Sequence, residues 1–322
     1  MAKAPVIIAN VIGQSAAMFI SPFVNGTSVK EAYFEGYRKI EDIFPDRVLS
    51  AFIADLLGKK VEEKILCEAL YPLRSLVYRA EKRPQVRNFA GVEYLGGLET
   101  LRITHCEDLQ EVPRLLQRLP SLRAIEFSHG TLRSIPEWIF KMPRLEKLNF
   151  SGQNLTYLPP SVSKAKRLRA LQLSDNSIET LPEELGQLKH LQALNVSGNP
   201  VTKLPKNIIY LTKLSQLDIS KTQISHLPIN LAFLETLTYL NITNTPIKKL
   251  DFFLQRRVQD NLKIEGDHRK MEITTYAKRE YEDDRKLFPG TMLTATLFSF
   301  LAVGAGVQYL KKKKTKEGNM KQ

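Results

Sequence analysis

A chain of 322 residues is long enough for one large domain or two small ones. Its net charge of +13 is moderate once the six lysines and one glutamate after Leu310 are set aside, so nucleic acid is not demanded, while an anionic surface stays open. The two cysteines, Cys67 and Cys106, exclude a disulfide framework and are expected as buried thiols.

Residues 1–29 start with Lys3 and then run apolar, VIIANVIGQSAAMFISPFV. This is the layout of a signal peptide or an uncleaved signal anchor. The alternative is an apolar helix packed on the following domain. Residues 30–94 are predicted as a helical cap. In FPDRVLSAFIADLLGKK, Leu49, Phe52, Ile53, Leu56 and Leu57 recur at three- and four-residue spacing and share one face. Pro45 and Asp46 signal the helix start and Gly58 its stop.

Residues 95–250 are organised by a period. Leu122, Leu145, Leu168, Leu191, Leu214 and Leu237 fall 23 residues apart, and Leu98 precedes them by 24. One unit reads LRALQLSDNSIETLPEELGQLKH. A fixed period of this length predicts a solenoid. Alternate residues of each strand point inward, as with Leu171 and Leu173 or Leu217 and Ile219. Each turn ends in Leu-Pro or a relative, from Ile135-Pro136 to Leu227-Pro228. Proline there opens a short convex segment, because its φ is preset and it needs no donor. These segments are predicted to bury Leu185 and Leu188, Ile208 and Leu211, and Leu231 and Leu234. The unit resembles the leucine-rich repeat, L-x-x-L-x-L-x-x-N-x-L. In that architecture the Asn bonds backbone groups of the neighbouring turn. The Asn position here holds Gly130, Gln153, Asn176, Asn199, Thr222 and Thr245, so a sound but locally weaker ladder is expected.

A second resemblance covers residues 40–101. The segment IEDIFPDRVLSAFIADLLGKKV and the run Gly91, Val92, Glu93, Tyr94, Leu95, Leu98, Leu101 are similar to the N-terminal cap and first repeat of the internalins, surface proteins of Gram-positive bacteria. The resemblance implies a capped solenoid displayed outside the cell.

Residues 251–286 are charged and irregular and are predicted as a C-terminal cap and stalk. Residues 287–322 read as a membrane anchor with a basic tail. No charge occurs from Met292 to Leu310, and Lys311–Lys314 follow at once. That length suits a transmembrane helix, and the lysines place the repeats outside. A buried core helix is the alternative. Phe288, Pro289, Gly290 and Thr291, followed by Met292, also resemble the L-P-x-T-G sorting signal of wall proteins, with Phe for Leu and Met for the last Gly. A plain membrane anchor is favoured over wall attachment.

The period orients a concave face whose columns follow from it. One column holds Thr100, Ala124, Lys147, Ala170, Ala193, Gln216 and Tyr239. The next holds Arg102, Glu126, Asn149, Gln172, Asn195, Asp218 and Asn241. From these we take Arg102, Glu126, Lys147, Asn149, Gln172, Asn195, Asp218, Tyr239 and Asn241 as candidate ligand-binding residues. The hydroxyl column from Thr104 to Thr243 belongs to the repeat itself. Binding hot spots favour Trp, Tyr and Arg, and only Arg102 and Tyr239 qualify, at opposite ends. Trp138 is placed in the convex core. His105 and His129 share a column, without the further ligands a metal needs, and read as solvated.

The expected fold is an α/β solenoid, a horseshoe of 23-residue units with a parallel concave sheet, convex helical or 3-10 segments, a helical N-terminal cap and a C-terminal transmembrane helix. No nucleophile elbow, phosphate loop or HExxH motif occurs, so no enzyme, cofactor or metal is expected. The expected role is a membrane-anchored module for protein binding or adhesion at the cell surface. Its expected partners are a protein ligand and a membrane through residues 292–310, with no nucleic acid. The alternative is an effector or scaffold tail-anchored on the cytoplasmic face of an internal membrane.

Overall fold

The computed structural model describes residues 36–80 and 84–266, with the backbone of three short strands, Phe23–Val24, Thr27–Ser28 and Glu272–Thr274. The solenoid belongs to the unit Met1–Ile273, and Thr274–Gln322 form a second unit. Among the described residues no helix is long and apolar enough to cross a membrane. The stretch Met292–Leu310 and the motif Phe288–Thr291 lie outside them, as does most of the apolar N-terminus.

The cap opens with β1 (Tyr37–Lys39) and a single helical turn, α1 (Ile40–Ile43), followed by α2 (Arg47–Leu57) and β2 (Lys64–Leu66), which pairs antiparallel with β1. Asp46 starts α2 by accepting from the amides of Val48 and Leu49, both at 2.9 Å, which satisfies two of the helix's open donors. Gly58 ends it at φ 65°, the left-handed conformation that suits glycine at a helix C-terminus. The second carboxylate oxygen of Asp46 accepts from the amides of Arg87 and Asn88 at 2.9 and 3.0 Å. One side chain thus caps the helix and ties it to the first repeat.

The buried stripe of α2 is Leu49, Ser50, Ile53 and Ala54, rotated from the one the spacing predicts. Leu56 is 44% exposed, and Phe52 packs edge-on against Tyr78 at 5.0 Å between ring centroids. The Asp46 anchor at one end and the Phe52 contact at the side fix the roll of the helix. Gly91 closes the joint. It sits at φ 95°, and a Cβ there would lie 2.1 Å from the carbonyl oxygen of Ile43. Only a residue without a side chain lets the cap come so near.

Nine parallel strands then stack in sequence order: β3 (Ser75–Arg79), β4 (Thr100–Thr104), β5 (Ala124–Ser128), β6 (Lys147–Asn149), β7 (Ala170–Gln172), β8 (Ala193–Asn195), β9 (Gln216–Asp218), β10 (Tyr239–Asn241) and, last, Lys263–Glu265. The sheet therefore reaches one strand beyond the regular period at each end. Leu73 lies 25 residues before Leu98, and Leu262 lies 25 after Leu237, so both terminal units are longer than the rest.

On the convex side the chain makes 3-10 turns: Arg114–Arg118, Ile139–Lys141, Pro160–Lys164, Glu183–Gln187, Lys206–Tyr210 and Ile229–Phe233. A proline immediately precedes most of them, at the position whose amide no turn bond requires. Leu185, Leu188, Ile208, Leu211, Leu231 and Leu234 are buried as expected. Trp138 is partly buried against the same core. That core runs unbroken from the cap to Ile264, so each repeat completes its neighbour's apolar face.

The side-chain ladder is sound and weaker only locally, as expected. Asn176 accepts from the amide of Leu155 at 3.0 Å and donates to the carbonyl of Phe150 at 2.8 Å. Asn199 repeats this with Ile178 at 2.9 Å and Leu173 at 2.8 Å. Gln153 does the same, accepting from Leu132 at 2.9 Å and donating to Phe127 at 3.1 Å. Its extra methylene has room because the preceding ladder residue is Gly130. A Cβ on Gly130 would meet the Gln153 carboxamide at 2.9 Å. The ladder is thus intact over three repeats, lacks a side chain at Gly130, and thins at Thr222 and Thr245. Their hydroxyls donate within their own turns, to Ile219 and Ile242 at 2.7 Å.

The far end is closed by a short strand (Lys249–Asp251) and α3 (Phe252–Asp260), whose first turn Asp251 caps through the amide of Phe253 at 2.7 Å. Arg257 of α3 donates to four carbonyls of the last convex turn: Ala232, Leu234, Glu235 and Leu237, at 2.9 to 3.1 Å. These are the carbonyls that a further repeat would otherwise cover.

Candidate functional site

Strand register aligns the two concave columns pair by pair. Thr100, Ala124, Lys147, Ala170, Ala193, Gln216 and Tyr239 are successive neighbours, as are Arg102, Glu126, Asn149, Gln172, Asn195, Asp218 and Asn241. The first strand adds Ser75 and Val77 to these columns, and the last adds Lys263 and Glu265. Val77 is 37% exposed, and sequence reading missed it. The signal for all four was the pair of leading leucines, Leu73 and Leu262, set off by irregular spacing.

Much of the second column is engaged in structure. Asn149, Asn195 and Asp218 each accept from the amide two residues on, at 2.9 Å, and Asn241 does so at 3.1 Å. Such Asx turns end the strand and turn the chain toward the ladder. Asn241 also donates to the second oxygen of Asp218 at 3.1 Å. The turn that follows has the left-handed conformation in every repeat: His105, His129, Gly152, Asp175, Gly198, Lys221 and Asn244 all have φ between 53° and 65°. The hydroxyls and carboxamides beside this bend therefore serve the repeat before any ligand.

The groups left to a ligand lie in three places. At the N-terminal end Arg102 forms a 2.6 Å ion pair with Glu126, beside Val77. Mid-face, Lys147 and Gln216 are exposed, with Gln172 between their strands. At the C-terminal end the Tyr239 hydroxyl donates to Glu265 at 2.7 Å, and Lys263 bonds the other oxygen at 2.7 Å while lying 5.5 Å above the Tyr239 ring. The hydrogen bond to Glu265 is the main reason the Tyr239 phenol is pushed up to about 12. Glu265 is held below the usual carboxylate range, first by Lys263 and then by Tyr239. Arg102 and Tyr239 thus stand at opposite ends of the face, each in a charged cluster.

His105 and His129 stack with centroids 4.8 Å apart and planes within 7°. Among the described residues no three metal-ligating side chains come together. Cys106 is buried, and burial pushes its thiol up to about 11. Cys67 is only partly buried, contrary to the expectation of two buried thiols, because it opens a surface 3-10 turn after β2.

A family model described as a leucine-rich repeat region matches residues 152–257. Among solved structures, internalin C2 of Listeria monocytogenes is similar over 72% of this chain and 97% of its own, at 21% identity and a TM-score of 0.63. Internalin F of the same species aligns over 72% of this chain and 79% of its own, at 22% identity and a TM-score of 0.49. A leucine-rich repeat protein of Leptospira interrogans aligns over 69% and 60%, at 23% identity and 0.45. At 21% identity the likeness to internalin C2 is one of fold. No curated protein matches the chain at a significant level. The repeat fold and its internalin-like neighbours are thereby in place.

Proposed function

We propose that this leucine-rich repeat protein is a protein-binding module carried at the cell surface, with the concave sheet as its recognition face. The observation that carries the reading is the in-register sheet with a charged cluster at each end, Arg102–Glu126 and Tyr239–Lys263–Glu265. Between them the carboxamides are fixed by Asx turns, so the middle of the face is a rigid polar floor. Rigid, preorganised groups lose little entropy on binding. Tyr and Arg are the side chains that most often anchor protein interfaces, and each stands in one cluster. Affinity is then spread from Arg102 to Tyr239, a span of seven strands, which suits a folded protein rather than a small molecule.

Placement at a membrane rests on the sequence: the apolar N-terminus and the uncharged run Met292–Leu310 with its lysines. The motif Phe288–Pro289–Gly290–Thr291 lies just before that run, and a plain anchor fits it better than sortase cleavage because Met292 stands where the pattern has Gly.

Protease treatment of intact cells tests the placement. Cleavage of the repeats without lysis supports display outside. Repeats protected until lysis overturn it and favour a tail anchor facing the cytoplasm. Deleting residues 1–29 abolishes external display and leaves a tail-anchored protein where it was.

A further inference from the structure

The edge of the solenoid from which the strands start carries a ridge of cations that the proposed recognition face does not use. It is built from the turn joining each convex segment to the next leading leucine. Arg144, Arg167 and Lys213 occupy the residue immediately before that leucine in their units, and Lys166 and Lys189 the residue before that. Lys164 closes the convex turn ahead of Lys166. All six are exposed.

The side chains run along the solenoid rather than away from it. Lys166 reaches Gln187 of the next unit at 3.4 Å. Lys189 donates to the carbonyls of Gly186 and Tyr210 at 3.1 and 3.2 Å and lies 4.8 Å over the Tyr210 ring. Lys213 comes within 3.2 Å of His190, which fills the column between Arg167 and itself. Adjacent strands are about 4.8 Å apart, so the rows from Arg144 to Lys213 span roughly 15 Å.

Three arginines nearby on the repeats are ion-paired. Arg102 has Glu126, and Arg123 and Arg169 share Glu146 at 2.7 and 3.6 Å. Among the described residues none of the six ridge cations is ion-paired. The nearby Glu183 carboxylate is occupied by the amides of Lys206 and Asn207. The ridge ends where Glu235 takes the position held by Lys166 and Lys189. Lining up like charges along one edge costs stability, and Lys189 bears the mark: its ammonium is depressed first by burial and then by Lys166.

We propose that this ridge is a second binding surface, for a linear phosphate polymer lying along the solenoid axis across the units from Arg144 to Lys213. A polymer with a charge every few ångströms meets one to three cations at each repeat. A bilayer is the poorer fit. Membrane surfaces are usually engaged by apolar side chains inserted between headgroups. Among the described residues the exposed large apolar side chains are Leu56, Tyr71, Val77, Tyr94 and Tyr157, and none belongs to the ridge. Recognition is by backbone charge, since the Tyr210 ring beside the ridge already lies under Lys189.

The test uses the full chain and long-chain inorganic polyphosphate, with binding measured from about 50 to 200 mM salt. The variant replaces Arg144, Lys166, Arg167 and Lys213 by Gln, and the control carries Arg102→Gln and Lys147→Gln on the concave face. The ridge variant is expected to bind at least tenfold more weakly at about 50 mM salt, with a log–log salt slope shallower by roughly 3. The control is expected to bind as wild type. Equal binding by the ridge variant, or its loss in the control, overturns the proposal. So does binding to phosphatidylglycerol-containing vesicles without binding to polyphosphate. Should the variant fold poorly, amine-acylation footprinting of wild type decides. Polyphosphate is expected to protect Lys166 and Lys213 and to leave Lys147 reactive; unchanged reactivity on the ridge overturns the proposal.

Discussion

Replacing Asn199 by Ala removes the more deeply buried of the two Asn rungs of the ladder. Asn199 is 2% exposed and makes four contacts: it accepts from Ile178 at 2.9 Å and donates to Leu173, Val196 and Ser197 at 2.8, 3.0 and 3.2 Å. Two amide hydrogens serve those three carbonyls, so the donated bonds are shared and not worth three separate ones. The larger cost is what Ala leaves behind, namely the buried Ile178 amide without its partner; the Leu173 carbonyl keeps its bond from Asn176 at 3.0 Å. Such an orphan costs about 1–3 kcal/mol and the lost donated bonds about 1 kcal/mol more, so the expected loss is about 3 kcal/mol. Asn199→Thr supplies a hydroxyl where Thr222 has one, and that hydroxyl reaches only its own turn, at Ile219. It is expected to recover no more than about 1 kcal/mol of the loss, one neutral hydrogen bond. Urea unfolding followed by circular dichroism measures both. Because repeats couple mainly to their neighbours, the Ala variant is also expected to unfold over a broader range. A loss under about 1 kcal/mol would refute the reasoning, because the ladder would then be replaceable by water.

Other outcomes follow from the ends of the solenoid. Arg257→Ala frees the carbonyls of Ala232, Leu234, Glu235 and Leu237, and is expected to cost about 2 kcal/mol locally, seen as faster amide exchange over 229–265 with 168–190 unchanged. Gly91→Ala puts a Cβ against the Ile43 carbonyl and is expected to cost about 2–4 kcal/mol by thermal unfolding, combining left-handed strain with overpacking. The Tyr239 phenol, raised to about 12, contributes stability that is complete below its unfolded value near 10 and is lost as pH rises from there through 12. Ultraviolet titration of wild type minus Tyr239→Phe is expected to show this one tyrosinate forming late. Glu265→Gln, which removes the main cause, is expected to bring it back down.

The period made most of the fold legible. Leucines every 23 residues set the strands, and the register then paired Lys147 with Ala170 and Asp218 with Asn241 as the columns required. What escaped was whatever broke the spacing or depended on two positions at once. The first and last strands escaped because their leucines lie 25 residues from the next. That Gln153 makes a full rung could not be read from its own column, because its length is tolerable only beside Gly130. The left-handed column was invisible because His105, Asp175 and Lys221 share no chemistry, only a bend. The roll of α2 was fixed by Asp46 and Phe52 reaching across to the first repeat, which spacing along one helix cannot encode. In the candidate site the sequence placed Arg102 and Tyr239 at opposite ends, but the partners that make them clusters, Val77, Lys263 and Glu265, came from the irregular terminal strands.

The most direct test of the recognition face is photocrosslinking on living cells. A crosslinking residue is placed at Gln172 or Gln216 on the concave sheet, and at Glu184 on the convex side as the comparison. The account predicts a discrete protein adduct from the two concave positions, weakened by Arg102→Glu and Tyr239→Ala, and none from Glu184. An adduct from Glu184 alone, or one from the concave positions that survives both substitutions unchanged, would contradict it.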